Sequence, residues 1–208
     1  MAGGKSLRLG REKALEPINN QRLIDRVISV ICSICSEIII VTNQEQYRKL
    51  VKENLRATVQ VDLIPGKSSL GGIYTGLAYT STTYNLVVAC DMPFLNHALL
   101  SYMISIAQGY DVIVPRIDSY LEPLHAIYKI SCMSIIEKLI QEDKLSVFRL
   151  FEYMNTRYVD KDEVNLFDPD HLSFFNVNTK NDLIQAKKIS KRFKGSQIIE
   201  QVSIDDKC

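Results

Sequence analysis

The chain has almost no excess of either charge: 25 Lys and Arg stand against 24 Asp and Glu, a formal net charge of +1. A duplex nucleic-acid binder carries a clear basic surplus, so the balance argues against nucleic acid as a partner. No apolar run approaches the ~18 residues of a membrane span, which argues against a membrane role. The opening Met-Ala-Gly-Gly-Lys-Ser lacks the apolar stretch of a signal peptide. Cysteines are few and odd in number: Cys32, Cys35, Cys90, Cys132 and Cys208. Four of them sit in apolar surroundings, the usage of reduced thiols in a cytoplasmic protein. Cys32 and Cys35 form a C-x-x-C, but no second C-x-x-C or paired His follows to complete a metal site. Cys32 lies in, and Cys35 directly follows, an apolar run from Val27 to Ile34 that reads as a buried helix. There is no internal repeat and no low-complexity linker.

What is present is the composition of a globular protein. Hydrophobic residues make up 46% and charged residues 24%, which excludes wholesale disorder. The 208 residues predict one sizeable domain, over 1–194, followed by a loose tail over 195–208.

Strand-like and helix-like stretches alternate. Helical spacing predicts a helix over 19–36, and the β-branched run 37–42 predicts a strand. A polar helix over 44–54 and a strand over 58–64 follow, the strand closed by the turn pair Pro65-Gly66. A helix over 71–80, a strand over 84–90, a helix over 96–108 and a strand over 111–115 continue the rhythm. Apolar strands separated by helices are the pattern of a parallel sheet buried on both faces, so the fold class is α/β. Further on, strands are expected at 124–130, 158–160 and 174–177, with helices over 133–142 and 180–193. The basic cluster Lys187, Lys188, Lys191, Arg192 and Lys194 reads as a solvated face near a helix end.

Three stretches carry chemistry. Residues 2–13, A-G-G-K-S-L-R-L-G-R-E-K, combine glycines, a hydroxyl and several cations. Such a loop can set backbone N–H groups against phosphate oxygens while Arg and Lys balance the charge. It is neither a P-loop nor G-x-G-x-x-G, and a polar glycine-rich end also suits a frayed terminus. Asp91 directly follows the apolar strand 86–90, at the carboxyl edge where open α/β sheets bind ligands. A hard oxygen there suits Mg²⁺ on a substrate phosphate, and equally a turn or helix cap before Pro93. Ser68 to Ile73 is a small-residue loop opening a helix, with Asp62 shortly before it. Its glycines allow close approach of a ligand, or simply of helix to sheet.

These stretches, with L-G-G-I (70–73), A-C-D-M-P-F-L (89–95), E-P-L-H-A-I-Y (122–128) and F-F-N-V-N-T (174–179), resemble the molybdenum cofactor guanylyltransferases. These are MobA-like nucleotidyltransferases, and the motifs match in order over about residues 1–190. The resemblance implies a Rossmann-like three-layer α/β/α fold with a mostly parallel sheet. It implies transfer of GMP from GTP to the terminal phosphate of molybdopterin, with Mg²⁺ as cofactor. Met1, Ala2, Gly3, Gly4, Gly71 and Gly72 would face the nucleotide, and Arg8 and Lys13 its triphosphate. Asp62 would help hold the nucleotide, Asp91 would hold the metal, and Asn176 and Asn178 would face the pterin. Glu122 and His125 fall in a family motif without an assigned step; a lone His is most often structural. Cofactor-biosynthesis proteins and molybdoenzyme chaperones are implied as further partners. Two alternatives stay open: a related transferase using CTP or a sugar phosphate, and a truncated, non-catalytic nucleotide-binding protein.

One departure stands out. The family carries an apolar strand ahead of the glycine loop, whereas this sequence opens inside the loop. The expectation is a sheet lacking its first strand, with a hole beside strand 84–90 and unpaired backbone along it.

Overall fold

The protein is described by a computed structural model covering Met1, residues 13–53 and residues 55–205, the stretch 193–205 through its backbone alone. A 3-10 turn, Lys13–Leu15, leads into a small hairpin of β1 (Pro17–Ile18) and β2 (Gln21–Arg22). The hairpin turns through Asn19, whose φ of 55° is left-handed. Because residues 17–22 are used in this way, α1 starts later than its apolar spacing suggests, at Leu23, and ends at Ile31. Leu23, Ile24, Val27, Ile28 and Ile31 form its buried face. Cys32 lies just past that helix and is exposed, so it is not part of a buried helical core. Among the described residues no three His, Cys, Asp or Glu side chains gather as a metal cluster.

The alternation then proceeds as the apolar runs predict. β3 (Ile39–Thr42), α2 (Gln44–Leu50), β4 (Thr58–Val61), α3 (Ser68–Tyr79), β5 (Tyr84–Val88), α4 (His97–Ser105) and β6 (Val112–Ile117) follow in order. Next come β7 (Tyr120–Leu121), β8 (His125–Lys129), α5 (Cys132–Gln141), α6 (Val147–Phe151), β9 (Thr156–Asp160), α7 (Lys161–Asn165) and α8 (Lys180–Asp205). The helical backbone of α8 passes the expected end at residue 193, since 180–205 holds no proline and only one glycine, a mild helix breaker.

β3 and β4 pair in parallel. A second sheet runs β5-β8-β6, with β7 and β9 also on β6. β9 is parallel to β6, whereas β8 is antiparallel to both β5 and β6. β5, β6 and β9 therefore share one direction, while β8, between β5 and β6, and the short β7 run the other way. Side chains alternate across this sheet as the two-residue period requires. Val112, Val114, Ala126 and Tyr128 pack with α3, α5 and α6, while Ile113 and Ile127 pack with α4 and α7. Helices thus cover both faces, giving three α/β/α layers.

β3 and β5 are not bonded to each other. Between them lies an apolar cavity of about 270 Å³, lined by residues including Ile28, Ile38, Val41, Ile73, Leu86 and Val88. Met1 closes one end of it. Its nitrogen donates to the Val88 carbonyl at 2.6 Å, and its carbonyl accepts the Cys90 N–H at 3.0 Å. That pair of bonds is the pattern of a parallel bridge and sets Met1 beside Ala89, just past the end of β5. The hole expected beside β5 is present, and the strand edge faces this cavity.

No strand forms at 174–177. The chain makes a 3-10 turn at Leu172–Phe174 and then runs extended, without a sheet partner, to the start of α8. Asn176 and Asn178 therefore lie in an extended segment outside the sheet.

Candidate active site

The loop after β5 places Asp91 beyond the carboxyl end of its strand. Val88 and Ala89 are buried beneath it and fix its height above the sheet. Two chain segments converge on it. Lys13 comes from the N-terminal side, anchored by the neighbouring Ala14, which packs against Ile24 and Ile28 of α1. Its ammonium donates to Asp91 Oδ2 and to Asn178 Oδ1, the latter at 2.7 Å. The Lys13 and Asp91 side chains are each only 16% exposed, so the ion pair is largely shielded from the water that would weaken it.

Asn178 reaches this point because its segment is pinned on both sides. The Val177 N–H donates to the Asp91 carbonyl at 2.9 Å, and the Val177 side chain is buried with Ile18, Leu23 and Ala186. The N–H groups of Asn178 and Thr179 both donate to Asp182 Oδ2, at 2.9 and 2.7 Å, while the Asp182 N–H donates back to Thr179 Oγ1. Burial acts against the Asp182 carboxylate, yet those amide donors hold its pKa below the usual range. This reciprocal pairing at a helix start is legible as T-x-x-D in the sequence, although residue-type reasoning about the site passed over it. Asn176 takes another partner: its Nδ2 donates to the Phe174 carbonyl at 3.0 Å. The structure brings Lys13, Asp91 and Asn178 together and leaves Asn176 out of that cluster.

Asp62 lies at the end of β4 and is held by local bonds. Its Oδ1 accepts the Ile64 N–H at 3.0 Å and the Thr75 hydroxyl at 2.9 Å, and Thr75 also accepts the Leu63 N–H. Thr75, buried in the middle of α3, was not singled out by the sequence; only the structure shows it tying the Asp62 turn to the helix. Gly71 is required for that closeness, since a Cβ there would stand 2.8 Å from the Ile64 carbonyl oxygen. At Gly72 a Cβ would collide with the Met1 side chain. Both glycines thus permit close approach within the protein itself. Ala2, Gly3, Gly4 and Arg8 lie outside the described residues.

Burial shifts three other titratable groups near this end of the sheet. Cys90 is pushed up to about 11 by burial. Burial also raises Glu122 above the usual carboxylate range. His125 is completely buried, neither ring nitrogen has a hydrogen-bond partner among the described residues, and burial lowers its pKa to about 3. Its ring meets Phe174 edge-on with centroids 5.0 Å apart. It is a neutral packing residue under the segment that carries Asn176 and Asn178.

A carboxylate and an ammonium at the carboxyl ends of strands, with no activated nucleophile beside them among the described residues, suit charge compensation for a phosphate substrate. The donor set also fits a hard divalent cation. Asp91 offers a hard carboxylate oxygen, and such cations often take one or two protein oxygens, with water and phosphate completing the shell.

The chain matches the family model of the MobA-like NTP transferase domain over residues 1–156. It is 34% identical over 200 residues to a probable molybdenum cofactor guanylyltransferase of Pelotomaculum thermopropionicum, covering 95% of each chain. The chain belongs to the MobA-like NTP transferase family. This MobA-like chain is also 32% identical to a molybdenum cofactor guanylyltransferase of Desulfosudis oleivorans, over 92% of its own length and 94% of the relative's. Among solved structures it is similar to molybdopterin-guanine dinucleotide biosynthesis protein A from Archaeoglobus fulgidus, with a TM-score of 0.80 and 28% identity. That match covers 92% of this chain and 96% of the other. A cytidylyltransferase of Thermus thermophilus, at 13% identity and a TM-score of 0.65, shares the fold. The three-layer arrangement is accordingly the Rossmann-like one of nucleotidyltransferases.

Proposed function

We propose that this protein is an enzyme that transfers GMP from GTP to the terminal phosphate of molybdopterin, forming the guanine dinucleotide cofactor and pyrophosphate. The observation that carries the reading is the meeting of Lys13, Asp91 and Asn178 at the carboxyl edge of the sheet. A nucleotidyltransferase needs a cation and a metal-holding carboxylate at that place. The family relatives supply the choice of nucleotide and acceptor.

The acceptor phosphate is a monoester whose second pKa is about 6, so at neutral pH it is largely ionised. No general base is needed to generate the nucleophile. One of its oxygens forms a bond to the α-phosphorus of GTP, and the bond to the oxygen bridging the α- and β-phosphorus breaks. Pyrophosphate leaves with the electron pair. The protein must align the two phosphates and offset their charge. Nucleotidyltransferases of this kind use a divalent metal, and Asp91 would hold it as Mg²⁺, whose charge favours the crowding of phosphates. Lys13 and Arg8 would bind the departing pyrophosphate. Met1, Ala2, Gly3 and Gly4, with Asp62, Gly71 and Gly72, would line the nucleotide side. Asn176 and Asn178 would lie toward the pterin.

Among the described residues no helix is long and apolar enough to cross a membrane. The setting that fits the reaction is the cytoplasm, with cofactor-biosynthesis proteins delivering the labile pterin and molybdoenzyme chaperones receiving the product. The decisive assay supplies GTP, Mg²⁺ and molybdopterin and follows pyrophosphate and guanine dinucleotide together. Equal release of both supports the reading. Pyrophosphate release with CTP but not GTP would overturn it.

A further inference from the structure

The bond from Lys13 to Asn178 has a consequence for how the site works that a pterin contact at Asn178 does not explain. We propose that Asn178 is a positioning residue for Lys13, keeping its ammonium at the phosphate site when the Asp91 carboxylate is engaged by another cation. The inference rests on the transferase reading above, and it concerns the nucleotide half of the site.

Without a second tether, Lys13 would depend on Asp91 alone. A lysine side chain is a long flexible stem, and holding it in one place costs conformational entropy. The same carboxylate cannot serve fully both an ammonium and a divalent cation. Asn178 Oδ1 lies 2.7 Å from the Lys13 nitrogen, is neutral, and leaves two of the three ammonium protons for other acceptors once Asp91 turns away. The Asn178 backbone is itself fixed. Its N–H is held by Asp182, and the preceding Val177 N–H is held by the Asp91 carbonyl. The tether is therefore rigid where the lysine is not. It also joins the segment bearing Asn176 directly to the cation that meets GTP, so the two substrate sides share one hydrogen bond.

The test is a double-mutant cycle on Lys13→Met and Asn178→Ala, read first as GTP affinity in the presence of Mg²⁺ and absence of acceptor. Asn178→Ala is expected to weaken GTP binding roughly tenfold in the wild-type background and to add almost nothing in Lys13→Met, because neighbouring residues that act together are non-additive. Asn178→Gln keeps a neutral amide oxygen acceptor and should restore binding to within about threefold of wild type. The melting temperature of each variant is measured alongside, and a variant that does not fold is replaced in the cycle by Asn178→Ser, which is expected to weaken GTP binding as Asn178→Ala does. Equal losses in both backgrounds, or a loss confined to the acceptor KM with GTP affinity unchanged, would overturn the positioning role. A wild-type protein that binds GTP but transfers nothing to molybdopterin would overturn the functional reading and leave the cycle on GTP binding still decisive for Asn178.

Discussion

The Met1 nitrogen donates to the Val88 carbonyl at 2.6 Å, while the Met1 carbonyl accepts the Cys90 N–H at 3.0 Å. Met1 thereby sits beside Ala89, far from it in sequence, and both line up next to an apolar cavity of about 270 Å³ between β3 and β5 that Met1 helps to line. Burial disfavours a charged amine at this nitrogen and lowers its pKa. A peptide N–H in its place would make the same bond without that desolvation cost.

The first prediction follows from this geometry. Five apolar β-branched residues joined ahead of Met1 would extend the ladder along β5 and fill the space with side chains. Each side chain buried contributes about 1.5 to 3 kcal/mol, so two well-placed ones contribute about 3 kcal/mol or more. For a chain of this size that is a rise of roughly 6 to 12 °C in melting temperature. Calorimetry on the extended and original chains checks it, with an extension of alternating Ser and Gly as control. A rise equal to that of the control would show that the cavity does not take a strand.

The order of strands and helices was legible because each apolar run has one period and one length. Val112 to Val114 and Ala126 to Tyr128 are apolar throughout, as strands covered on both faces must be. The reversal of β8 was not legible, since a strand's direction is set by the chain's path and leaves no mark on its own residues. α6, at Val147–Phe151, is too short to show a helical period. α7 follows a capping box between Asp160 and Glu163, a D-x-x-E that can be read in the sequence. Phe174 to Val177 looks like a strand by residue type, yet Val177 spends its N–H on the Asp91 carbonyl rather than on a sheet neighbour. Asp91 could be singled out by type and position, and Lys13 through the family resemblance. The bond from Lys13 to Asn178 could not, because it closes across most of the chain and depends on how the last segment folds back.

Asp91→Asn is the second prediction. The amide keeps the shape and still offers Lys13 an oxygen, so the fold should persist, with circular dichroism unchanged. The carboxylate charge that would hold Mg²⁺ is lost. GMP transfer should fall by roughly 10²- to 10³-fold, the scale seen when one group aimed at transition-state charge is removed. Raising the Mg²⁺ concentration should recover part of it. Rates of pyrophosphate release across a Mg²⁺ titration provide the measurement, and a wild-type rate in the variant would remove Asp91 from the metal site.

Nucleotide choice supplies the third. A ligand that binds only the folded state stabilises it by linkage, by about 2.7 kcal/mol at a hundred times its Kd. With Mg²⁺ present, GTP at such a concentration should raise the melting temperature by roughly 5 to 10 °C. CTP at the same concentration should raise it far less. Equal shifts would mean that the pocket does not distinguish the bases, and the cytidylyl alternative would then gain ground.

The fourth concerns His125 and acid. In an unfolded chain a histidine takes up its proton near pH 6.5, whereas burial holds the folded His125 neutral down to about 3. Between those values the unfolded state binds more protons, so the contribution to stability is lost as pH falls below 6.5 and continues to fall until about pH 3. One pH unit is worth about 1.4 kcal/mol for a single group, so moving from pH 6.5 to pH 5 costs about 2 kcal/mol from His125 alone. Replacing it with phenylalanine keeps the edge-on contact with Phe174 and removes two buried ring nitrogens that have no hydrogen-bond partner among the described residues. His125→Phe should therefore match or exceed wild type at pH 7 and gain on it steadily as pH drops. Other groups titrate in both proteins, but the difference between the two urea-unfolding curves at each pH isolates this one. A difference that stays constant from pH 7 to pH 5 would mean that His125 is protonated in the folded protein, with a partner that the described residues do not provide.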